Sequence, residues 1–376
     1  MAMAIPSLAV PAASRKAVGW WLVGIALLIA AMATVGGLTR LTGSGLSITE
    51  WHPVTGVVPP LSEHAWLTEF AKYRKIPQYR LENSGMSLAD FKAIYWWEWT
   101  HRLLGRLLGF GFFLPLVYFI ATRTLSRAEI PRMIGLFALG GLQGFVGWWM
   151  VESGLQTRVS VSQYRLAIHL GVALILFGAI LWTAFEYLSA PACGGGAERS
   201  EAEGAPSVLR RFAPQATSPA SGGGKFALAF VALVYIQMLL GAFVAGLHAG
   251  LIYNTWPSMD GRVLPEGAFF QKPWWINVFE NAGLAQFDHR VGAYLVAAGA
   301  AALWIMSRRQ TVLVRASASL LIGVTLAQIA LGILTLVNQV PLPLAALHQA
   351  TAVALFSAAL WHAYAIRRAF YVAASA

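Results

Sequence analysis

Four histidines of this 376-residue chain stand near the start of long apolar runs: His101, His169, His289 and His348. Two of them carry an arginine directly behind, His101-Arg102 in WWEWTHRLLGR and His289-Arg290 in QFDHRVGAYLV. Ionisable groups inside hydrophobic segments are costly and usually functional. A single histidine near a helix end is more often a hydrogen-bonded interface residue than a ligand; recurrence carries the ligand reading. Zinc would want more nitrogen or sulfur ligands and often a carboxylate. Two imidazoles from facing helices instead suit the two axial positions of a haem iron. Gly-rich faces such as GRLLGFG (105–111) would let a flat porphyrin approach the backbone. His52, His64, His248 and His362 fall in outer loops or at an inner helix end and are read as interfacial.

One acidic residue breaks the symmetry. Glu98 stands at i, i+3 to His101, so on a helix both face the same way. The equivalent position before His289 is Gln286, a neutral isostere. A carboxylate beside a haem face can move protons or stabilise positive charge on a nearby carbon. The plainer alternative is an acid near a helix N-terminus interacting with the dipole, which predicts no difference between the two positions. Arg102 and Arg290 directly follow a ligand, where haem propionates would point, with Arg106 and Arg165 nearby. Their plainer reading is snorkelling to head groups.

The elements that must position these residues are membrane helices. Hydrophobic residues make up 57% of the chain, charged residues 11%, and the mean hydropathy is +0.61. A soluble domain carries about 25% charged residues. Runs long enough to cross a bilayer predict eight spans, at 18–38, 99–122, 131–151, 166–188, 225–246, 286–306, 312–337 and 343–364. The net charge of +11 is then a topology signal rather than a sign of nucleic acid. Arg15, Lys16, Arg123, Arg127, Arg132, Arg210, Arg211, Arg308, Arg309, Arg315, Arg367 and Arg368 all fall on one side, which the positive-inside rule makes the cytoplasm. Both termini are expected inside, and all four histidines in the outer part of the membrane. The first apolar segment is too long for a signal-peptide core and is read as a retained span. No transit peptide precedes it, favouring a bacterial cytoplasmic membrane. The lone Cys193 excludes a disulfide framework.

The chain also repeats itself. GLSITEWHPVTGVVPP (45–60) is echoed at constant spacing by GLIYNTWPSMDGRVLP (250–265), with Gly45, Trp51 and Pro60 on Gly250, Trp256 and Pro265. Gln143 and Gly147 correspond to Gln328 and Gly332, and IHLGVALILFGAILW (168–182) to LHQATAVALFSAALW (347–361). Matching Gly, Trp, Gln and His in the same order points to tandem duplication of a four-helix unit. The predicted fold is thus an all-α integral membrane protein, two four-helix bundles related by a pseudo-two-fold axis along the membrane normal. Its parts are a tail at 1–17, a first repeat at 18–189, a flexible linker at 190–224, a second repeat at 225–366 and a tail at 367–376. Trp51, Trp66, Trp256, Trp274 and Trp275 lie in outer loops that would cap each bundle, with short helices expected near 62–74 and 87–95.

GGLTRLTGSGLSITEWHPVTGVVPP, YWWEWTHRLLGR and FDHRVGAYLV resemble the haem A synthase family, in the form shared by proteobacteria and mitochondria, over about residues 18–366. The resemblance implies oxidation of the C8 methyl of haem O to the formyl of haem A through successive hydroxylations. It implies haem b as cofactor in the C-terminal half, on His289 and His348, and substrate haem on His101 and His169. Glu98 would be the acid near the reacting methyl. Implied partners are haem O, haem O synthase, terminal oxidase assembly factors and a membrane electron acceptor, with a homo-oligomer compatible. Some members carry outer-loop cysteine pairs; this chain has none. The competing reading is a diheme b-type cytochrome passing electrons between quinone and a partner. A two-repeat transporter is weakened by the almost wholly apolar midplane.

Overall fold

The computed structural model describes residues 12–52, 55–189 and 220–375. Among these, every regular element is helical. Eight helices are long and apolar enough to cross a membrane: spans one (Ala12–Leu41), two (Leu88–Ala121), three (Ile130–Leu155), four (Gln163–Ser189), five (Ala220–Gly246), six (Ala282–Ser307), seven (Val312–Val337) and eight (Leu342–Ser375). They match the eight apolar runs one for one. The protein is a multi-pass membrane protein.

Span two departs from expectation. The helix expected near 87–95 is not separate but forms the first turns of a continuous 34-residue helix. Ser87 caps it: its side chain accepts from Asp90 N, and Asp90 reaches back to the Ser87 N–H. This capping box satisfies orphan donors at the true start, and no Gly or Pro interrupts the chain before Gly105. His101 therefore sits well inside its helix rather than opening it, and Glu98 lies beyond the first turn, out of reach of the dipole effect. The other expected short helix appears as Glu63–Tyr73, capped by Ser62, and a further one, Pro77–Leu81, begins at a proline. Of the expected linker, 190–219 lies outside the described residues, and 220–224 instead belong to the helix of span five.

Spans one to four close a ring, each against the next and four back against one; spans five to eight do the same. The rings meet where one packs on eight, four on five and four on eight. One apolar cluster runs through both, from Leu22, Met133 and Ile180 to Leu303, Leu321 and Phe356. Lipid gives helices no hydrophobic reason to associate, so close packing does the work. Gly178 illustrates it: a Cβ there would lie 3.5 Å from both Leu360 and Phe356. Phe110, Leu114, Val117 and Tyr118 face outward, the side where lipid is the solvent.

A second cluster caps the first ring. Phe91 stacks on Phe70 at 5.0 Å, with Tyr73 at 5.3 Å, and Trp66 meets Tyr95 edge-on at 5.0 Å. A ring of this kind buried away from water contributes about 1.5–3 kcal/mol. The cap braces the first turns of span two, and with them Glu98 and His101. The loop between spans five and six has only short helical turns, organised by buried Asn277, whose amide donates to the Gln271 and Trp274 carbonyls.

Candidate functional site: a histidine pair in each ring

In each ring the two histidines stand on helices that are diagonal, not adjacent. His101 is on span two and His169 on span four; His289 is on span six and His348 on span eight. Neither diagonal pair packs substantially together, so the middle of each ring lies between the imidazoles. The partners of a pair lie within electrostatic reach of one another, His169 of His101 and His289 of His348. None of the four is in the fully buried class, although all sit among helices.

The other diagonal supplies glycines. A Cβ at Gly36 of span one would lie 2.9 Å from His101 Cε1, and one at Gly147 of span three 2.9 Å from His169 Cε1. In the second ring Gly241 of span five stands the same way to His289 at 3.2 Å, and Gly332 of span seven to His348 at 2.9 Å. Each imidazole thus rests edge-on against a helix backbone that only glycine leaves bare. Gly36 and Gly241 share the constant spacing of the loop repeat, a signal that would find them when followed upstream of Gly45 and Gly250.

Glutamines frame three of the four imidazoles. Gln143 Nε2 donates to the His169 carbonyl and lies 3.1 Å from its Nδ1. Gln237 Nε2 donates to the His289 carbonyl at 2.8 Å and lies 3.1 Å from its Nδ1. Gln328 Nε2 is 3.4 Å from His348 Nε2. Gln237 was not foreseen from sequence.

Glu98 is buried, with its carboxylate fully engaged. Oε2 accepts from Ser47 Oγ and from Ile48 N, both at 2.8 Å. Oε1 accepts from Arg102 Nε at 3.1 Å and Nη2 at 2.7 Å. Gln286 occupies the same place in the second ring: its Nε2 donates to the Ala249 carbonyl at 2.7 Å, and its Oε1 accepts from Arg290 at 2.8 Å. The arginines direct their donors mostly to loop backbone. Arg102 reaches the Ile48 and Glu50 carbonyls; Arg290 reaches those of Tyr253, Pro257 and Ser258. Ile48 and Tyr253 are themselves repeat equivalents. Arg106 donates to the His52 carbonyl, and Arg165 to that of Trp149, over whose ring its guanidinium lies. Outside the spans, His248 Nε2 stands 2.8 Å from Arg40 Nη2; burial and that guanidinium hold its pKa below the ordinary range. His362, expected to be interfacial, is instead buried between spans seven and eight, its Nδ1 2.9 Å from Ser317 Oγ.

The residues fit a haem in each ring. Each of the four imidazoles is packed against a glycine of the facing helix, which fixes where its ring edge sits. His101 Nδ1 and His348 Nδ1 are buried without a hydrogen-bond partner, and so is Arg290 Nε. Among the described residues no three His, Cys, Asp or Glu side chains gather as a bare metal ion would need.

Residues 19–360 match the family described as COX15-CtaA, cytochrome oxidase assembly protein. A protein of Parvibaculum lavamentivorans named heme A synthase is 49% identical, over 95% of this chain and 96% of its own length. Proteins of the same name from Bradyrhizobium diazoefficiens and Nitrosospira multiformis are 47% and 44% identical, over 94% and 95% of this chain and 92% and 95% of their own.

Proposed function

The chain belongs to the COX15-CtaA family of cytochrome oxidase assembly proteins, and from that premise we propose that it is a haem A synthase. It is then a membrane oxidoreductase that oxidises the C8 methyl of haem O to the formyl group of haem A, for use by terminal oxidases. The observation that carries the reading is the paired geometry: two imidazoles on diagonal helices, each backed by a glycine, in both four-helix rings.

His289 and His348 would hold a resident haem b, and His101 and His169 the substrate haem. A haem b bound there supplies one-electron redox chemistry. Gln237 and Gln328 set the orientation of its two imidazoles. Glu98 is the asymmetric element. One turn before His101, its carboxylate would stabilise positive charge developing on the reacting carbon. Ser47, Ile48 and Arg102 hold it in place. Arg102 and Arg290 pin the outer loop across each ring, and their remaining donors would meet the haem carboxylates.

The repeated Gly–His contacts and the equivalent Ile48 and Tyr253 anchors support duplication of a four-helix unit, with repeats at 18–189 and 225–366. The distribution of arginine supports cytoplasmic termini and haem sites toward the outer face, and the membrane we assign is the bacterial inner membrane. The pigments of protein made with a haem O supply provide the test. Wild type should yield haem B together with haem O or haem A. His289→Ala and His348→Ala should lose haem B. His101→Ala and His169→Ala should keep it and form no haem A. Wild-type protein yielding haem B alone under that supply would make this a diheme cytochrome and sink the assignment.

A further inference from the structure

Each histidine-facing glycine is preceded, one helical turn earlier, by a residue that also faces the ring. In three cases it is glutamine: Gln143 before Gly147, Gln237 before Gly241 and Gln328 before Gly332. All three side-chain amides lie within hydrogen-bonding distance of their histidine. The fourth position, before Gly36, is Met32. The backbone frame is shared, since Met32 lies beside His101 as Gln237 and Gln328 lie beside theirs. Only the side chain differs. The Met32 thioether runs along span two, its Cε 3.6 Å from where a Cβ at Gly105 would be. A thioether has no amide to offer an imidazole, so of the four histidines His101 is the one with no glutamine side chain beside it; an unpartnered Nδ1 is not what sets it apart, since His348 Nδ1 beside Gln328 is unpartnered too.

We propose that Met32 makes His101 the exchangeable ligand of the protein, the imidazole through which the substrate haem enters and the product haem leaves. This rests on the reading of two haem sites above. An amide beside a ligating imidazole fixes ring rotation, and loss of such an outer partner typically weakens metal binding by about 10–100-fold. A resident cofactor benefits from both glutamines, as the second ring has. A substrate that must depart after oxidation needs one weak point, and the first ring has one. Met32 is a positioning residue in this scheme, acting through His101.

The experiment measures transfer of haem from detergent-purified holoprotein to excess apomyoglobin, alongside electron paramagnetic resonance of the low-spin ferric signals. In Met32→Gln, first-ring haem should leave about 10–100-fold more slowly, its signal should shift, and haem A should accumulate on the protein. Gln237→Met should do the reverse to the second ring, speeding loss of haem B by a similar factor. Met32→Leu, apolar and of similar size, should behave as wild type. If His289→Ala retains its haem B, the two-site reading itself falls. If His289→Ala loses haem B, but Met32→Gln and Gln237→Met keep wild-type transfer rates and signals, this inference alone is overturned. A Met32→Leu variant as slow to release as Met32→Gln would also overturn it.

Discussion

Gln349, the residue after His348, reaches out of its own ring and lies against Gly37, the residue after Gly36. Its side-chain amide donates to the Ala33 carbonyl of span one, and its Oε1 fills the space where a Cβ at Gly37 would sit. Neighbouring glycines of span one thus hold His101 of one ring and Gln349 of the other.

Gly37→Ala should therefore act across the interface. The new methyl must displace Gln349, an overpacking cost of about 1–3 kcal/mol, read as a lower thermal midpoint. Because Gln349 adjoins His348, the second-ring haem signal should shift although Gly37 belongs to the first. Gly37→Ala/Gln349→Ala should recover most of the loss. A double variant no more stable than Gly37→Ala would mean that Gln349 is not what the methyl meets.

The glycines backing the histidines predict a contrast within one helix. Gly147→Ala places a methyl 2.9 Å from His169 Cε1, whereas a Cβ at Gly144 meets nothing within 4 Å. Gly147→Ala should cut substrate-haem retention about 10-fold or more. Gly144→Ala should leave it unchanged and slightly stabilise the helix, Gly costing up to about 1 kcal/mol relative to Ala. Equal spectra for the two variants would dismiss the edge-on contact.

Glu98→Gln is less silent than the sequence implies. All four donors around this carboxylate need acceptors, so an amide nitrogen must face one of them, costing about 1–3 kcal/mol. Turnover should fall about 10²–10⁴-fold if the carboxylate acts on the reacting group. Ser47→Ala removes a single donor, and should cost about 0.5–1.5 kcal/mol with turnover near wild type. Should Ser47→Ala lower turnover as far as Glu98→Gln does, the carboxylate is a loop tether and nothing more.

The Arg40–His248 contact predicts a pH dependence. Arg40 of span one also donates to the Ala245 and Gly246 carbonyls at the end of span five, so it joins the rings. The folded protein holds His248 below its ordinary value of 6.5, and so binds its proton less readily than the unfolded chain. The stabilisation is complete above that value and is lost as pH falls below it, toward the lower folded value. Thermal midpoints should drop between pH 7.5 and pH 5, values chosen to bracket the ordinary histidine range of about 6.5, and less so in His248→Gln. An unchanged pH profile in that variant would assign the acid sensitivity elsewhere.

What was legible in the sequence is what depends on local sums and on identity. A run of apolar residues is a span whatever it touches, so all eight spans could be read directly. His101, His169, His289 and His348 stood out because ionisable groups are rare in such runs. Ser87 with Asp90 was legible too, but the apolar count began later than the helix, and span two was cut short. The tertiary structure decided which faces meet. In lipid nearly every face is apolar, so no periodicity marks the one turned toward a neighbour. That is why the diagonal placement of the histidines, Gly36 and Gly241 behind their rings, and Gln349 against Gly37 emerge only from packing. The same reason moved Arg102 and Arg290 onto loop carbonyls and gave Glu98 four donors: hydrogen-bond partners far apart in the chain leave no mark on the residues between them.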